Sequence, residues 1–382
     1  MRFRNFNSLK SIGSMGLASI VGSSISAFFW IYLAAIMGAE NYGELGYYIS
    51  IAGLATSLSF IGGPMAITVL VAKKYNIEST VYFVSIFASI VSALVLYFAF
   101  TNIGMSVYVL GAVIYNLASS ELLGRKFYKK YSIYLISQKI LFVLFSLLFY
   151  YLIGPEGILI GIGLSFLIFT ERIYRGFKDT PLNFQLLKTK WKFMSNNFLL
   201  DLSYILDRQT DKLIIGPLFG FIILGNYYLA LQVLSMLAII PAAVQKFTLS
   251  EDSSGSNTTK IKLLTILFSV FLALVGIVIA PKILPLLFPD YAESLELVPI
   301  ISISIIPITI STLISSEFLA KEKSGFIVMT SVISIAILII GIFSLGTYFG
   351  IVGLAYSLVI SDSSRALILY IISLNEKRKI HS

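Results

Sequence analysis

The chain of 382 residues has no cysteine and a single histidine, His381, in a charged tail at the end of the sequence. The missing cysteines exclude disulfide bonds, thiolate metal sites and cysteine nucleophiles. With one histidine in such a tail, catalytic triads, histidine-ligated metals and imidazole proton relays are not expected. The sequence therefore predicts no metal site.

Charged residues are also scarce. They make up 12% of the chain, against 57% hydrophobic residues, and the mean hydropathy is +0.91. A soluble domain carries about 25% charged residues, so this composition excludes a water-soluble globular protein. The length and composition predict an integral membrane protein with many spans.

Apolar runs repeat along the whole chain and are separated by short polar turns. A transmembrane helix needs about 20 consecutive apolar residues. Kinks are expected where Gly62-Gly63-Pro64 and Pro241 interrupt two of the runs. We predict an all-α, polytopic membrane protein of about twelve transmembrane helices, at 12–36, 44–72, 80–102, 104–124, 131–153, 157–174, 195–218, 222–245, 262–288, 294–320, 325–347 and 351–374.

The net charge of +9 is a topology signal rather than a nucleic-acid signal. Of the 28 lysines and arginines, 23 lie at the N-terminus, in the turns after even-numbered spans, or in the C-terminal tail. The opposite turns carry acidic residues and essentially no cations. The positive-inside rule then predicts a cell-membrane protein with both termini in the cytoplasm, whose basic side contacts anionic lipid.

Glycines repeat between the two halves of the chain. Gly38 and Gly43 lie five residues apart near the first outer turn, and Gly220 and Gly225 have the same spacing 182 residues later. The alternative to an internal repeat is that two glycine-rich turns are alike by chance.

A second echo relates the turn at 154–157 to the turn at 350–353, at an offset of 196 residues. The two echoes predict two six-helix bundles, 1–192 and 193–382, that cross the membrane in the same direction. This parallel repeat is typical of transporters and places the substrate path between the bundles.

Three segments carry a resemblance to a known family: IYLAAIMGAENYGELGYYISI at 31–51, the pair Lys73-Lys74, and DKLIIGPLFG at 211–220. Together they resemble the polysaccharide-transporter branch of the multidrug/oligosaccharidyl-lipid/polysaccharide exporter superfamily, which includes O-antigen flippases. The resemblance implies a transporter that flips a polyprenyl-pyrophosphate-linked oligosaccharide to the outer leaflet by alternating access, for cell-surface polysaccharide biosynthesis. Many members carry a basic residue where this chain has Ala34-Ala35, so that anion-binding role is not carried over.

Ionisable side chains within predicted spans are costly in a bilayer and are candidate site residues. The densest set lies in the seventh span, where Asp211 falls at the edge of a polar stripe and Asp207 points away from it. At about 100° per residue, the stripe covers roughly 80° of the helix. Its members are Asn197, Asp201, Tyr204, Arg208 and Lys212.

We interpret the stripe as a polar wall facing a hydrated cavity between the bundles. Arg208 suits bidentate contact with the pyrophosphate, and Lys212 acts as a point charge. Asp201 and Asp211 offset these cations when substrate is absent. The alternative is a structural ion-pair ladder that ties the helix to its neighbours.

The twelfth span carries a second charged pair, Asp362 and Arg365. Three residues apart, they either neutralise one another on one helix face or bind substrate. Glu317 and Lys321 are expected to form a surface pair. The candidate substrate-binding set is Asn197, Asp201, Tyr204, Arg208, Asp211, Lys212, Asp362 and Arg365.

The sequence has no Walker-type nucleotide-binding motif and no cytoplasmic segment long enough for a nucleotide-binding domain. A coupling proton or cation is therefore the source of energy to consider, besides the substrate gradient itself. A drug or cation antiporter of the MATE type is the alternative transporter, and an enzyme is not expected because the outer turns are short. The predicted partners are a lipid-linked oligosaccharide and the bilayer, with no nucleic acid; a polysaccharide polymerase partner stays open.

Overall fold

The computed structural model describes residues 2–253, 258–291, 293–321 and 323–381. All regular structure in these ranges is helical, which confirms the predicted all-α class. The side chain of His381 lies outside the described ones. A short 3-10 turn, Phe166–Phe169, joins α6 to α7, and a π-helical turn, Ile342–Gly346, joins α15 to α16.

The helices, in chain order, are α1 (Arg2–Ser59), α2 (Gly63–Ala72), α3 (Glu78–Phe100), α4 (Ile103–Gly124), α5 (Tyr128–Ile153), α6 (Glu156–Ser165), α7 (Thr170–Asp179), α8 (Phe184–Phe219), α9 (Phe221–Leu237), α10 (Ile239–Ser253), α11 (Thr259–Val278), α12 (Ala280–Leu287), α13 (Ser294–Ile303), α14 (Ile305–Ala320), α15 (Ser324–Gly341) and α16 (Thr347–His381).

Eight helical segments of the described ranges are long and apolar enough to cross a membrane, or nine when the bent pair α9 and α10 counts as one span. Two of the eight, Met15–Ala72 and Ser324–Glu376, contain backbone breaks at Gly38 and Gly350, and each covers two predicted spans. Helix α8 covers the seventh predicted span but is not among the eight, because charged side chains interrupt it. The protein is a multi-pass helical membrane protein, and the count of twelve stays a prediction.

Exposed apolar faces agree with this assignment. On α11, the side chains of Leu264, Leu267, Phe271 and Leu274 are each more than half exposed. Their spacing of three and four residues places them on one helix face. An apolar face of this extent is unusual for a soluble protein, whereas lipid would cover it.

Both predicted kinks are confirmed. Gly62 and Gly63 have φ angles of 90° and 69°, in the left-handed region that favours glycine, and they separate α1 from α2. Helices α9 and α10 are bent by 50° relative to each other, and Pro241 lies in the first turn of α10. Proline lacks the N–H group that a continuous helix would need at that point.

The chain forms two compact units. Unit 1 consists of Met1–Ser26 and Tyr48–Ile205, and unit 2 consists of Ala27–Tyr47 and Leu206–Ser382. The middle part of α1 therefore belongs to unit 2, and α8 contributes to both units. The division into bundles at 192/193 stays a prediction.

The core of unit 1 is formed by apolar side chains of α2, α3 and α4 and of the segments that flank them. Phe60, Ile67, Tyr82, Leu117 and Phe169 are all fully buried there. Together they hold α2 and α4 in the positions that form the cavity described below.

Unit 2 contains both glycine segments of the first echo, and they contact each other reciprocally. Gly38 and Gly220 share one unusual backbone conformation, with φ/ψ of 73°/165° and 92°/161°. A Cβ atom on Gly43 would collide with the carbonyl oxygen of Phe221, and one on Gly225 would collide with that of Ala39. The numbers 39 and 43 become 221 and 225 at the offset of 182, so the two contacts are equivalent under the sequence echo.

Aromatic side chains fix the same region of unit 2. The hydroxyl of Tyr291, between α12 and α13, donates a hydrogen bond to the carbonyl oxygen of Ala34 at 2.9 Å. Burial, and secondarily the charge of Asp290, raises the pKa of Tyr291, so the hydroxyl stays a neutral donor. The ring of Tyr42 packs between those of Tyr228 and Tyr291, at centroid distances of 5.0 and 6.2 Å.

Candidate substrate-binding sites

Unit 1 contains a cavity of about 400 Å³. Its walls come from α2, α4 and α8 and from one residue of α5. The lining residues are Pro64, Met65, Thr68, Tyr115, Asn116, Ser119, Ser120, Leu123, Tyr131, Asn197, Leu200, Asp201 and Tyr204. We call this space the unit 1 cavity.

Helical periodicity explains which side chains reach the cavity. On α8 the lining residues Asn197, Asp201 and Tyr204 recur at intervals of four and three residues. These are the first three members of the predicted polar stripe, and they lie on one face as the sequence indicated. Whether they bind substrate stays a prediction.

Asp201 is the charged group of this cavity. Its Oδ2 atom accepts a hydrogen bond of 2.9 Å from the hydroxyl of Ser57. The side-chain nitrogen of Asn197 donates to the carbonyl oxygen of Phe193 at 2.8 Å. Among the described residues of the lining, no lysine or arginine occurs.

Tyrosines form the aromatic part of the lining. The ring of Tyr115 stacks on Phe166 at a centroid distance of 5.1 Å and meets the edge of Phe169 at 5.2 Å. These contacts hold the Tyr115 ring in a fixed orientation. The cavity thus combines hydroxyl groups, amides and aromatic rings with one carboxylate.

The charged residues of α8 that belong to unit 2 are mostly paired. The Nζ atom of Lys212 lies 2.8 Å from Oδ1 of Asp211, and both side chains are buried. Tyr227 on α9 donates its hydroxyl to Oδ2 of Asp211 at 3.0 Å, and Lys212 also donates to the carbonyl oxygen of Arg208. For Asp211 and Lys212, the geometry therefore favours the structural ion pair over a free cation for substrate.

Arg208 differs from its neighbours. Its side chain is exposed, and it forms no ion pair with any residue in the described part of the chain. It lies four residues beyond Tyr204, which is about one helical turn, or 6 Å, along α8.

The two charged residues of the twelfth predicted span have different partners. Arg365 on α16 forms an ion pair with Asp207 on α8, not with Asp362 on its own helix. The hydroxyl of Ser334 on α15 also donates to Asp207, at 3.3 Å. The alternative in which Asp362 and Arg365 form a pair with one another is thus wrong, and the substrate role of these two residues stays a prediction. The position of Asp207 off the polar stripe, as the sequence predicts, turns its side chain toward α16.

Sequence reasoning missed a buried charged cluster in unit 1. Glu121 has no exposed surface, and its carboxylate accepts a hydrogen bond from Nε of Arg172 at 3.0 Å. Arg125 lies 2.6 Å from Glu121 and 3.0 Å from Glu78. We call these four residues the Glu121 cluster; it ties the N-terminus of α3 and the C-terminus of α4 to α7.

A sequence signal for this cluster exists. The segment 119–125 reads SSELLGR, and the segment 315–321 reads SSEFLAK, at the same offset of 196 residues as the second glycine echo. In unit 2 the equivalent acid, Glu317, lies 2.7 Å from Nζ of Lys262, which also pairs with Asp252 at 2.7 Å. The expected surface pair of Glu317 with Lys321 is wrong, because Lys262 takes that place.

No protein-family model matches the chain, and no protein of curated function matches its sequence. Solved structures do share its fold. The chain is similar to the lipid II flippase MurJ in an inward closed conformation, with a TM-score of 0.78 and 13% identity over 94% of this chain and 87% of that one.

Multidrug transporters share the same fold. One is a MATE-family multidrug resistance transporter of the MOP superfamily in an inward-facing conformation, with a TM-score of 0.72 and 13% identity over 94% of both chains. Another is a MOP-superfamily transporter from Pyrococcus furiosus, with a TM-score of 0.64 and 13% identity over 98% of this chain and 97% of that one. The fold is that of MOP-superfamily transporters.

Proposed function

We propose that the protein is a flippase that moves a polyprenyl-pyrophosphate-linked oligosaccharide from the inner to the outer leaflet of the cell membrane. The observation that carries the proposal is Arg208, an exposed cation with no acidic partner among the described residues, one helical turn from a polar cavity on the same helix. An unpaired arginine inside a membrane span is costly unless it serves water or an anionic ligand. A phosphate group satisfies it through bidentate hydrogen bonds.

The protein then lets the polar head group cross the membrane without entering the hydrocarbon, while the polyprenyl tail stays in lipid. At 4 Å and an effective dielectric constant of about 20, one cation–phosphate charge pair contributes about 4 kcal/mol before desolvation. Lys212 pairs with Asp211 within α8, and Arg365 on α16 pairs with Asp207 on α8. Arg208 is accordingly the member of the predicted set to which we assign the phosphate.

Alternating access between two parallel bundles fits the glycine contacts. The reciprocal approach of Gly43 to Phe221 and of Gly225 to Ala39 supports the parallel repeat. The repeat of the SSE motif at 119–121 and 315–317 supports it as well. Both termini lie in the cytoplasm in this proposal, and the flipped product is available to polysaccharide polymerase machinery on the outer side.

Coupling to a proton is part of the proposal. Of the four aspartates in the seventh and twelfth predicted spans, Asp207 and Asp211 pair with cations and Asp201 lines the unit 1 cavity. Asp362 forms no ion pair with a described residue, so it is the carboxylate to which we assign the proton.

An antiporter of cationic drugs is the second candidate. The unit 1 cavity favours it in one respect, because its charged group is a carboxylate and three tyrosines line it. Cation–π attraction and the carboxylate suit an organic cation. Drug efflux by the protein in a sensitive host, without any flipping, would establish this candidate instead.

The test is a proteoliposome assay with a set of fluorescent polyprenyl-pyrophosphate oligosaccharides, in which an impermeant quencher measures leaflet exposure. We expect Arg208→Ala to abolish protein-dependent exposure while the protein still inserts and folds. The matched control is Arg175→Ala, which removes an arginine whose surface pair with Glu171 is half exposed. Exposure at the wild-type rate with Arg208→Ala would refute the assigned role.

A further inference from the structure

We propose that the unit 1 cavity binds the uncharged sugar units of the substrate and excludes its pyrophosphate. This inference rests on the proposed flippase function and assigns a glycan subsite to unit 1. The sequence predicts one polar wall whose cations meet the pyrophosphate. Among the described lining residues of this cavity, the structure instead gives one charged side chain, the carboxylate of Asp201.

Charge selects against phosphate in this cavity. A pyrophosphate placed here would meet Asp201 as a like charge, with no lysine or arginine among the described lining residues to offset it. Sugar hydroxyl groups carry no charge, and a carboxylate accepts hydrogen bonds from them without a counter-ion.

Two polar side chains of the lining, Asp201 and Asn116, have hydrogen-bonding capacity left for a ligand. Ser57 holds Oδ2 of Asp201 at 2.9 Å, and Oδ1 accepts no hydrogen bond from a described residue. The side-chain amide of Asn116 forms no hydrogen bond with a described residue either, although its backbone oxygen accepts one from Ser120. An amide that both donates and accepts, next to a fixed acceptor, matches the alternating donors and acceptors of a sugar ring.

Aromatic rings complete the subsite. Tyr115, Tyr131 and Tyr204 line the same cavity, and Tyr115 is fixed by Phe166 and Phe169. A rigid aromatic ring offers an apolar face to the C–H face of a sugar.

The size of the cavity favours a glycan over a bare ion. Small-molecule sites measure roughly 300–1,000 Å³. At about 400 Å³, the unit 1 cavity falls within this range and suits a short stretch of sugar units. A dehydrated metal ion would leave most of this volume empty.

The absence of native cysteine allows the cavity to be tested by single-cysteine labelling of the full chain. Met65 lines the cavity and is 48% exposed, so Met65→Cys reports its occupancy to N-ethylmaleimide. Thr189→Cys is the matched control, because Thr189 is exposed on α8 and is not part of the lining. Thr68→Cys replaces the reporter if Met65→Cys does not fold.

Five probes separate the sources of protection: a polyprenyl-pyrophosphate oligosaccharide, its free oligosaccharide, sugar-free polyprenyl pyrophosphate, inorganic pyrophosphate, and tetraphenylphosphonium. We expect the two sugar-bearing probes to slow labelling of Met65→Cys about tenfold when each is present at nine times its dissociation constant. The labelling rate is proportional to the unoccupied fraction of the cavity, which is one divided by one plus the ratio of probe concentration to dissociation constant. The other three probes and the Thr189→Cys control show no change. Adding Asn116→Leu raises the dissociation constant of both sugar-bearing probes about tenfold, as expected for one or two lost hydrogen bonds.

Other outcomes overturn the subsite in distinguishable ways. Equal protection by sugar-free polyprenyl pyrophosphate places the phosphate in the cavity, and protection by tetraphenylphosphonium alone makes it a cation site. If the protein flips the lipid-linked oligosaccharide but no probe protects Met65→Cys, the cavity is not a glycan subsite, and the proposed flippase function still holds. If the protein flips no substrate but the free oligosaccharide protects Met65→Cys, the glycan subsite is supported and the flippase function is refuted.

Discussion

Glu121→Gln is expected to destabilise unit 1 strongly, although the substitution hardly changes side-chain size. Glu121 is fully buried and faces two guanidinium groups, those of Arg172 at 3.0 Å and Arg125 at 2.6 Å. Arg172 is itself 5% exposed, so loss of the carboxylate leaves a buried cation short of its counter-charge. Removing one partner of a buried ion pair costs about 3–5 kcal/mol.

The control is Glu171→Gln, which removes a carboxylate from a pair with Arg175 in which both side chains are 52% exposed. Such a surface pair contributes about 0–1 kcal/mol. For a unit of this size, 1 kcal/mol corresponds to about 2–4 °C in melting temperature, so Glu121→Gln should melt roughly 6–20 °C below the wild type.

The assay is thermal unfolding of both variants in the same detergent, followed by fluorescence-detected size exclusion. A melting temperature for Glu121→Gln within a few degrees of that for Glu171→Gln would refute the reasoning. It would mean that the arginines find water or other partners, and that the Glu121 cluster does not hold α3, α4 and α7 together.

Two further predictions concern unit 2. Gly225→Val should lower stability by about 1–3 kcal/mol through overpacking against Ala39, measured by the same melting assay. Gly325 has open space around it, so Gly325→Ala should leave stability unchanged. Equal effects of the two substitutions would contradict the close contact. The double variant Asp207→Asn/Arg365→Gln should lose less stability than the sum of the losses of its two single variants, with a coupling energy of about 0.5–3 kcal/mol in a double-mutant cycle; additivity would show that the pair does not form.

The fold class could be predicted from the sequence because the bilayer permits few alternatives. Every backbone polar group within the hydrocarbon must be bonded internally, so an apolar run of sufficient length becomes a helix. Periodicity likewise placed Asn197, Asp201 and Tyr204 on one face, because residues three and four apart are neighbours on a helix surface.

The partners of the charged residues could not be predicted. Asp207 and Arg365 are 158 residues apart, and Arg172 and Glu121 are 51 apart, so local spacing carries no information about these pairs. The helical position of Lys212 likewise left two alternatives open, a cation for substrate and a member of an ion-pair ladder. Adjacent positions do not face each other on a wheel, yet its long side chain folds back onto Asp211.

The backbone breaks could be predicted from glycine and proline. Gly62 and Gly63 precede a proline, and Gly350, with a φ of 58°, begins the predicted turn at 350–353 between two spans. The SSE repeat was readable in the sequence, since its offset equals that of the second glycine echo. It marks acids that are paired in both units, although with different cations.

The central claim is that this chain flips a lipid-linked oligosaccharide, and the most direct test is leaflet exposure in proteoliposomes with and without an imposed proton gradient. We expect protein-dependent exposure of at least one polyprenyl-pyrophosphate oligosaccharide, with no transport of tetraphenylphosphonium by the same preparation. Correctly folded protein that exposes none of several head groups under a gradient, but exchanges the cation for protons, would contradict the account and establish the antiporter.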